Sequence, residues 1–476
     1  MPDVYQILAN AAQKWPNKVA IYDCKGSLTF TELQQQSDAL RDELTSKGIC
    51  KGKGLGVLAR NSREFIIGLF AGIGTGATVM PLSHQLRENE LNEAISESGL
   101  HAIIDDNSVT RGTAEYQPID SSKGFRFSFT ENKDRENIAP HVDHAAFIRF
   151  TSGTTGKAKG VVISHSSALE RIKGAQRALE LTEEDVVIWV LPMAYHFIAS
   201  IALYVYTGSA IVIADNFMAP TVIDCINRRK GTLLYASPMH LRMLAADKSE
   251  AKIESMKRVI STSTSIAKDV CESFYHRFDI PVTQAYGIIE IGLPIINKDH
   301  SIDMPESVGT EVEGYSTVIL DENCVELPEN TEGLLAIKGL GMFDAYLNPP
   351  LMRSEVVQNG FFKTADMAIK DRQGRIFIKG RKSSVINISG NKVFPEEVES
   401  LINTLPQVKM SRISGVPHPI MGQIVQAEVI LKEGQDIDQE DLISFCRKNL
   451  SSFKIPQRVK KVEQIEMTDS GKIKRH

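Results

Sequence analysis

Apolar positions along the first hundred residues alternate between helical and extended spacing. Phe30, Leu33, Leu40 and Leu44 fall near one face of a 3.6-residue repeat. That spacing predicts an amphipathic helix over 30–48, which Thr29 or Thr31 can cap. Short apolar runs at 55–58, 77–82 and 102–105 read as strands, and 63–73 and 88–98 read as the helices between them. This alternation predicts an α/β fold with layered subdomains and a mostly parallel sheet. It resumes after residue 145, with apolar strands at 210–214, 233–236 and 258–261.

From about Ser307 to Lys338 the pattern changes. Glycines punctuate short β-rich stretches such as Thr317 to Leu320 and Leu334 to Ile337, predicting a small antiparallel or β-barrel-like unit. A hinge is expected after Gly380-Arg381. Beyond it, a small α+β lid with helices over 395–403 and 439–450 completes the chain.

The chain has 476 residues, too many for one ordinary core. Its net charge of −5 gives no general attraction for nucleic acid or anionic membranes. None of the six cysteines forms a C-x-x-C pair, so a disulfide framework or zinc ribbon is not expected. The first residues lack the basic-then-apolar layout of a signal peptide, and the apolar runs at 65–73 and 201–206 are too short to span a bilayer. A cytoplasmic setting and no transmembrane segment are therefore expected.

The chemistry concentrates first in Thr151-Ser152-Gly153-Thr154-Thr155-Gly156-Lys157-Ala158-Lys159-Gly160, flanked by apolar runs at 145–150 and 161–163. Glycines let the backbone turn tightly and direct several N–H groups at one anion, hydroxyls add donors, and Lys157 and Lys159 add charge suited to a triphosphate. The spacing is not that of a Walker loop, whose first glycine would stand at Thr151. A plain surface loop or hairpin rich in Gly, Ser and Thr is the bland alternative.

This segment resembles the signature loop of the adenylate-forming superfamily, which includes acyl-CoA synthetases, beetle luciferases and peptide-synthetase adenylation domains. Ala158 stands in place of the usual proline. Further matches run in the family's order from about residue 28 to 475. Gln284-Ala285-Tyr286-Gly287-Ile288-Ile289-Glu290 resembles Q-x-Y-G-x-T-E, which implies adenine stacking for Tyr286 and Mg²⁺ for Glu290. Ile289 replaces a phosphate-contacting threonine. Gly360 to Asp366 resembles W-x-x-T-G-D, with Ala365 for glycine, and implies that Asp366 anchors the ribose and that Arg381 reaches the ribose or phosphate. Ser383 falls at the hinge position. Ile388 to Glu399 resembles the lining of the thiol tunnel, where Gly390 would let pantetheine pass. Thr468-Asp469-Ser470-Gly471-Lys472-Ile473 resembles the family's terminal motif, with Glu466 for proline, and makes Lys472 the catalytic lysine. Tyr195 and His196, in Leu191 to Phe197, and Ser263 and Thr264, in Ser261 to Ile266, occupy acyl-pocket positions.

Each residue also has an ordinary reading: a turn aspartate, an exposed loop arginine or serine, a satisfied core histidine, a solvated tail lysine. The resemblance implies an N-terminal ATP- and acid-binding domain over 1–380 and a lid over 381–476 that carries Lys472. It implies ATP-dependent activation of a fatty, aryl or other carboxylic acid as an acyl-adenylate, with ATP and Mg²⁺, then transfer to coenzyme A, in a monomer or homodimer. The alternatives are an enzyme that loads the phosphopantetheine of an acyl or peptidyl carrier protein, and a degenerate nucleotide-binding module, suggested by Ile289, Ala365 and Glu466.

Overall fold

A computed structural model describes residues 3–109, 111–112, 114–151, 159–388, 391–418, 422–467 and 473–474. Two nine-stranded sheets dominate it. The first has a parallel centre made of Val282–Ile288, Arg258–Ser261, Leu233–Ala236, Val186–Trp189, Ala210–Ile213 and Val19–Asp23, with antiparallel strands at both edges. The second is parallel through Ala145–Thr151, Thr78–Ser83, Gly54–Ala59 and Ala102–Asp106, and is again edged by antiparallel strands.

Parallel strands need cover on both faces, because their crossover helices lie there. The cores follow that rule. One large cluster contains residues of both sheets, among them Phe147, Phe197, Trp189 and Ile295, together with the helices Phe30–Ser46, Arg63–Gly74 and His165–Leu179. A second cluster covers the far face of the first sheet with Val222, Leu241 and Phe274 of three helices. A third covers the far face of the second sheet with Leu91 and Ile95 of Glu88–Ser98.

Local chemistry sets the boundaries. Thr29 caps the helix Phe30–Ser46 by accepting from Glu32 N, while the Glu32 side chain accepts from Thr29 N. The helix stops two residues short of the expected end at 48, where Gly48 takes a φ of 89°.

The β-rich region is an antiparallel sheet in the order Ser316–Leu320, Glu332–Lys338, Phe362–Lys370, Ile376–Arg381. That order does not close on itself, so of the two expected forms the open antiparallel sheet is the one present rather than a barrel. Its edge joins the first large sheet where Gly309 pairs with Ile376. A Cβ at Gly309 would lie 2.0 Å from Ile296 O, so only glycine allows that approach. The last sheet comprises Asn391–Val393, Ile386–Ile388, Gly422–Leu431, Val408–His418 and Arg458–Lys461, and the helices Pro395–Ile402 and Gln439–Asn449 pack on it. No helix among the described residues is long and apolar enough to cross a membrane.

Candidate active site

Ala145–Thr151 and Lys159–Ser164 pair antiparallel, with Thr151 opposite Lys159. The glycine-rich segment therefore connects the two strands of a hairpin inside the second sheet. Ser152, Gly153, Thr154, Thr155, Gly156, Lys157 and Ala158 lie outside the described residues, as do Gly390 and Lys472.

Two sets of contacts, linked through the backbone from Tyr286 to Glu290, lead from this hairpin across both sheets. Tyr346 pairs with Val161 on the hairpin's second strand. Its hydroxyl donates to Glu290 Oε1 at 3.1 Å. Glu290 follows the strand Val282–Ile288, which carries Tyr286. The Tyr286 hydroxyl donates to Asp366 Oδ2 at 2.5 Å, and Arg381 Nε donates to Asp366 Oδ1 at 2.8 Å. Asp366 and Arg381 are also cross-strand partners in the small antiparallel sheet. Four residues named from the sequence, Tyr286, Glu290, Asp366 and Arg381, thus belong to these two linked sets.

The electrostatics follow from burial. Loss of water, reinforced by the Asp366 carboxylate, raises the Tyr286 phenol well above its ordinary range and keeps it a donor. Burial also raises the Glu290 carboxyl, while the Tyr346 bond and the charges of Arg381 and Arg171 pull it back. Gly287 has a steric reason to be glycine: a Cβ there would stand 2.4 Å from Gly292 O on the neighbouring strand. Among the described residues no cluster of three metal-ligating side chains occurs. A single partly buried carboxylate such as Glu290 nevertheless suits Mg²⁺, which usually keeps water and substrate phosphates as its other ligands.

The positions read from the sequence as an acyl pocket follow the ends of two of the first sheet's parallel strands, Val186–Trp189 and Arg258–Ser261. Tyr195 closes the 3₁₀ turn Met193–Tyr195, and His196 precedes a π-helical stretch, Phe197–Ala202. Such stretches are rare and often mark functional sites. The His196 ring lies 5.9 Å from Trp189 and 6.3 Å from Tyr235, both edge-on. Ser263 has a left-handed φ of 78°, and Thr264 is exposed. Ser383 is exposed in the turn Lys382–Ser384, immediately after Arg381.

Three residues of this region were not singled out from sequence. Arg171 is buried on the helix His165–Leu179 and donates to the carbonyls of Gly341, Ile289 and Glu290. It pins the backbone that carries Glu290. Tyr346 is the hydroxyl on Glu290. Arg149 stands in a strand read as apolar, its guanidinium 5.2 Å from the Tyr195 ring centre. A charged residue within an apolar strand was the available signal for Arg149, whereas nothing in the spacing marked the other two.

An α/β architecture of two large sheets, with a hydrogen-bonded tyrosine, aspartate and arginine and a glycine-rich hairpin, suits the binding of a nucleotide. The AMP-binding enzyme family matches residues 8–347 and its C-terminal domain matches 397–472, so the chain belongs to that family. It is similar to an oxalate–CoA ligase of Arabidopsis thaliana, with 27% identity over 98% of this chain and 96% of that one. It is also similar to a 2-succinylbenzoate–CoA ligase of a Geobacillus species, with 26% identity over 97% and 94%. The fold matches ATP-bound MatB of Rhodopseudomonas palustris with a TM-score of 0.86, 24% identity, and coverage of 98% and 97%.

Proposed function

We propose that this protein uses ATP to activate a carboxylic acid as an acyl-adenylate, releasing pyrophosphate, and then transfers the acyl group to the thiol of coenzyme A. The observation that carries the reading is a pair of contact sets joined through the backbone of 286–290: Tyr346 on Glu290 beside the hairpin, and Tyr286 and Arg381 on Asp366. Family membership and the CoA-ligase relatives support it.

In this reading Tyr286 offers its ring to adenine and Asp366 accepts from the ribose hydroxyls. Arg381, now held by Asp366, is free to turn toward ribose or phosphate once those hydroxyls compete for the carboxylate. Thr151 to Gly156 and Lys159 supply phosphate donors. Attack of a carboxylate on the α-phosphate brings two anions together, so positive charge placed between them lowers the barrier, and Lys472 is assigned that task. Glu290 would hold Mg²⁺, which neutralises phosphate charge when bound. Residues 1–380 form the nucleotide and acid site. Residues 381–476 form a lid that turns about Ser383 and presents Gly390 to the incoming thiol.

The test is acid-dependent release of pyrophosphate from ATP and Mg²⁺ across a panel of acids, followed by thioester formation with CoA. Release that ignores the acid would contradict adenylation. Thioester formed on a carrier's phosphopantetheine but not on CoA would reassign the acceptor.

A further inference from the structure

Arg149 differs from its buried neighbour Arg171 in one respect. Arg171 makes four hydrogen bonds to three carbonyl oxygens. Arg149 Nε is also shut off from solvent, yet it has no hydrogen-bond partner. Its guanidinium stands over the Tyr195 ring, 5.2 Å from the ring centre. Burial lowers both guanidinium groups to about 10, so both stay protonated at neutral pH. Arg149 is half-buried, and the Tyr195 phenol and the Glu290 carboxyl act on its charge without either closing an ion pair with it among the described residues; a partly desolvated cation placed in this way is available to an anionic ligand.

The strand's alternation fixes the direction. Ile148 and Phe150 pack into the cluster on the far face of the second sheet, while Phe147 packs into the cluster between the sheets. Arg149 shares the Phe147 face and reaches Tyr195, one residue before His196. Unpartnered donors continue beyond His196, with the buried Trp189 Nε1 and, 5.9 Å from Trp189, the buried Tyr204 hydroxyl.

We infer that Arg149 is a specificity-determining residue that pairs with a second carboxylate on the acid substrate, making the preferred substrate a dicarboxylic acid. This rests on the acyl-adenylate reading above. The reacting carboxylate is the poorer partner, because it loses its negative charge on becoming an anhydride and would leave Arg149 unpaired again. A distal carboxylate keeps its charge through adenylate and thioester alike, and the interaction survives the whole cycle.

The experiment is pyrophosphate exchange with a graded series of aliphatic dicarboxylic acids and carboxy-substituted aryl acids, each compared with its monomethyl ester. The wild-type protein is expected to favour the diacid. In Arg149→Gln the diacid-to-monoester ratio of kcat/KM should fall about 30-fold or more, with the rise in KM for the acid and not for ATP. Arg149→Lys, which keeps the charge without the fork, should recover part of the ratio, and it serves if the glutamine variant fails to fold. Equal use of diacid and monoester by the wild type would overturn the inference, as would a rise in KM for ATP. Exchange that occurs but ignores the second carboxylate sinks this inference alone. No exchange with any acid sinks the acyl-adenylate reading, and this inference with it.

Discussion

Tyr286 and Asp366, 80 positions apart, meet through a 2.5 Å hydrogen bond that ties the first large sheet to the small antiparallel sheet. The bond sets the height of the Tyr286 ring and occupies one of the two carboxylate oxygens assigned to ribose. Tyr286→Phe keeps the ring and loses the bond. It should cost about 1 kcal/mol in unfolding free energy. Asp366→Ala removes the partner of Arg381 as well, and should raise the KM for ATP by roughly 100-fold, on the scale of losing charged hydrogen bonds. Chemical denaturation checks the first, and exchange kinetics at varied ATP check the second. An unchanged ATP KM in Asp366→Ala would remove that residue from the nucleotide site.

Arg171 acts through the backbone. Its guanidinium holds Ile289 O at 2.6 Å, Glu290 O at 3.2 Å and Gly341 O at 2.7 Å. Arg171→Met would leave those carbonyls without this donor, at a cost of about 3–5 kcal/mol. Chemical denaturation should show the loss, and adenylation should fall with it because Glu290 loses its support. A variant of native stability would contradict the structural role.

His240 gives the stability a pH dependence. Burial lowers its imidazole to about 4, and its Nδ1 accepts from Ser237 N at 3.2 Å at the start of the helix Pro238–Ala245. In the unfolded chain the same ring titrates near its ordinary value of about 6.5. Between those two values the unfolded state binds the proton and the folded state does not. Stability is therefore fully present above about pH 6.5 and is lost as pH falls toward 4, by about 3 kcal/mol in all. His240→Asn offers a similar acceptor without the titration. Melting curves from pH 7 to pH 4 should show a shallower decline for the variant than for the wild type. Parallel declines would mean that His240 is protonated in the folded protein.

Much of this site is legible in the sequence, because its residues sit in fixed local strings. Tyr286 and Glu290 belong to one short segment, and Asp366 and Arg381 flank one hairpin. The layering of helices and strands is legible for the same reason, since periodicity is local. Long-range pairing is not. Nothing near Val19–Asp23 says that it lies beside Ala210–Ile213 in the first large sheet. The roles of Arg149, Arg171 and Tyr346 depend on what each faces across sheets, and so they emerge only from the fold. Ala145–Thr151 and Lys159–Ser164 are readable as strands, but their pairing into one hairpin requires the structure.

In the proposed mechanism Lys472 brings positive charge to the point where an acid meets the α-phosphate. The most direct measurement is acid-dependent pyrophosphate exchange in Lys472→Ala beside the wild type. The account predicts a loss of about 100-fold or more, on the scale of removing one preorganised donor to a charged transition state, with the fold intact by melting. Undiminished exchange in the variant would contradict it.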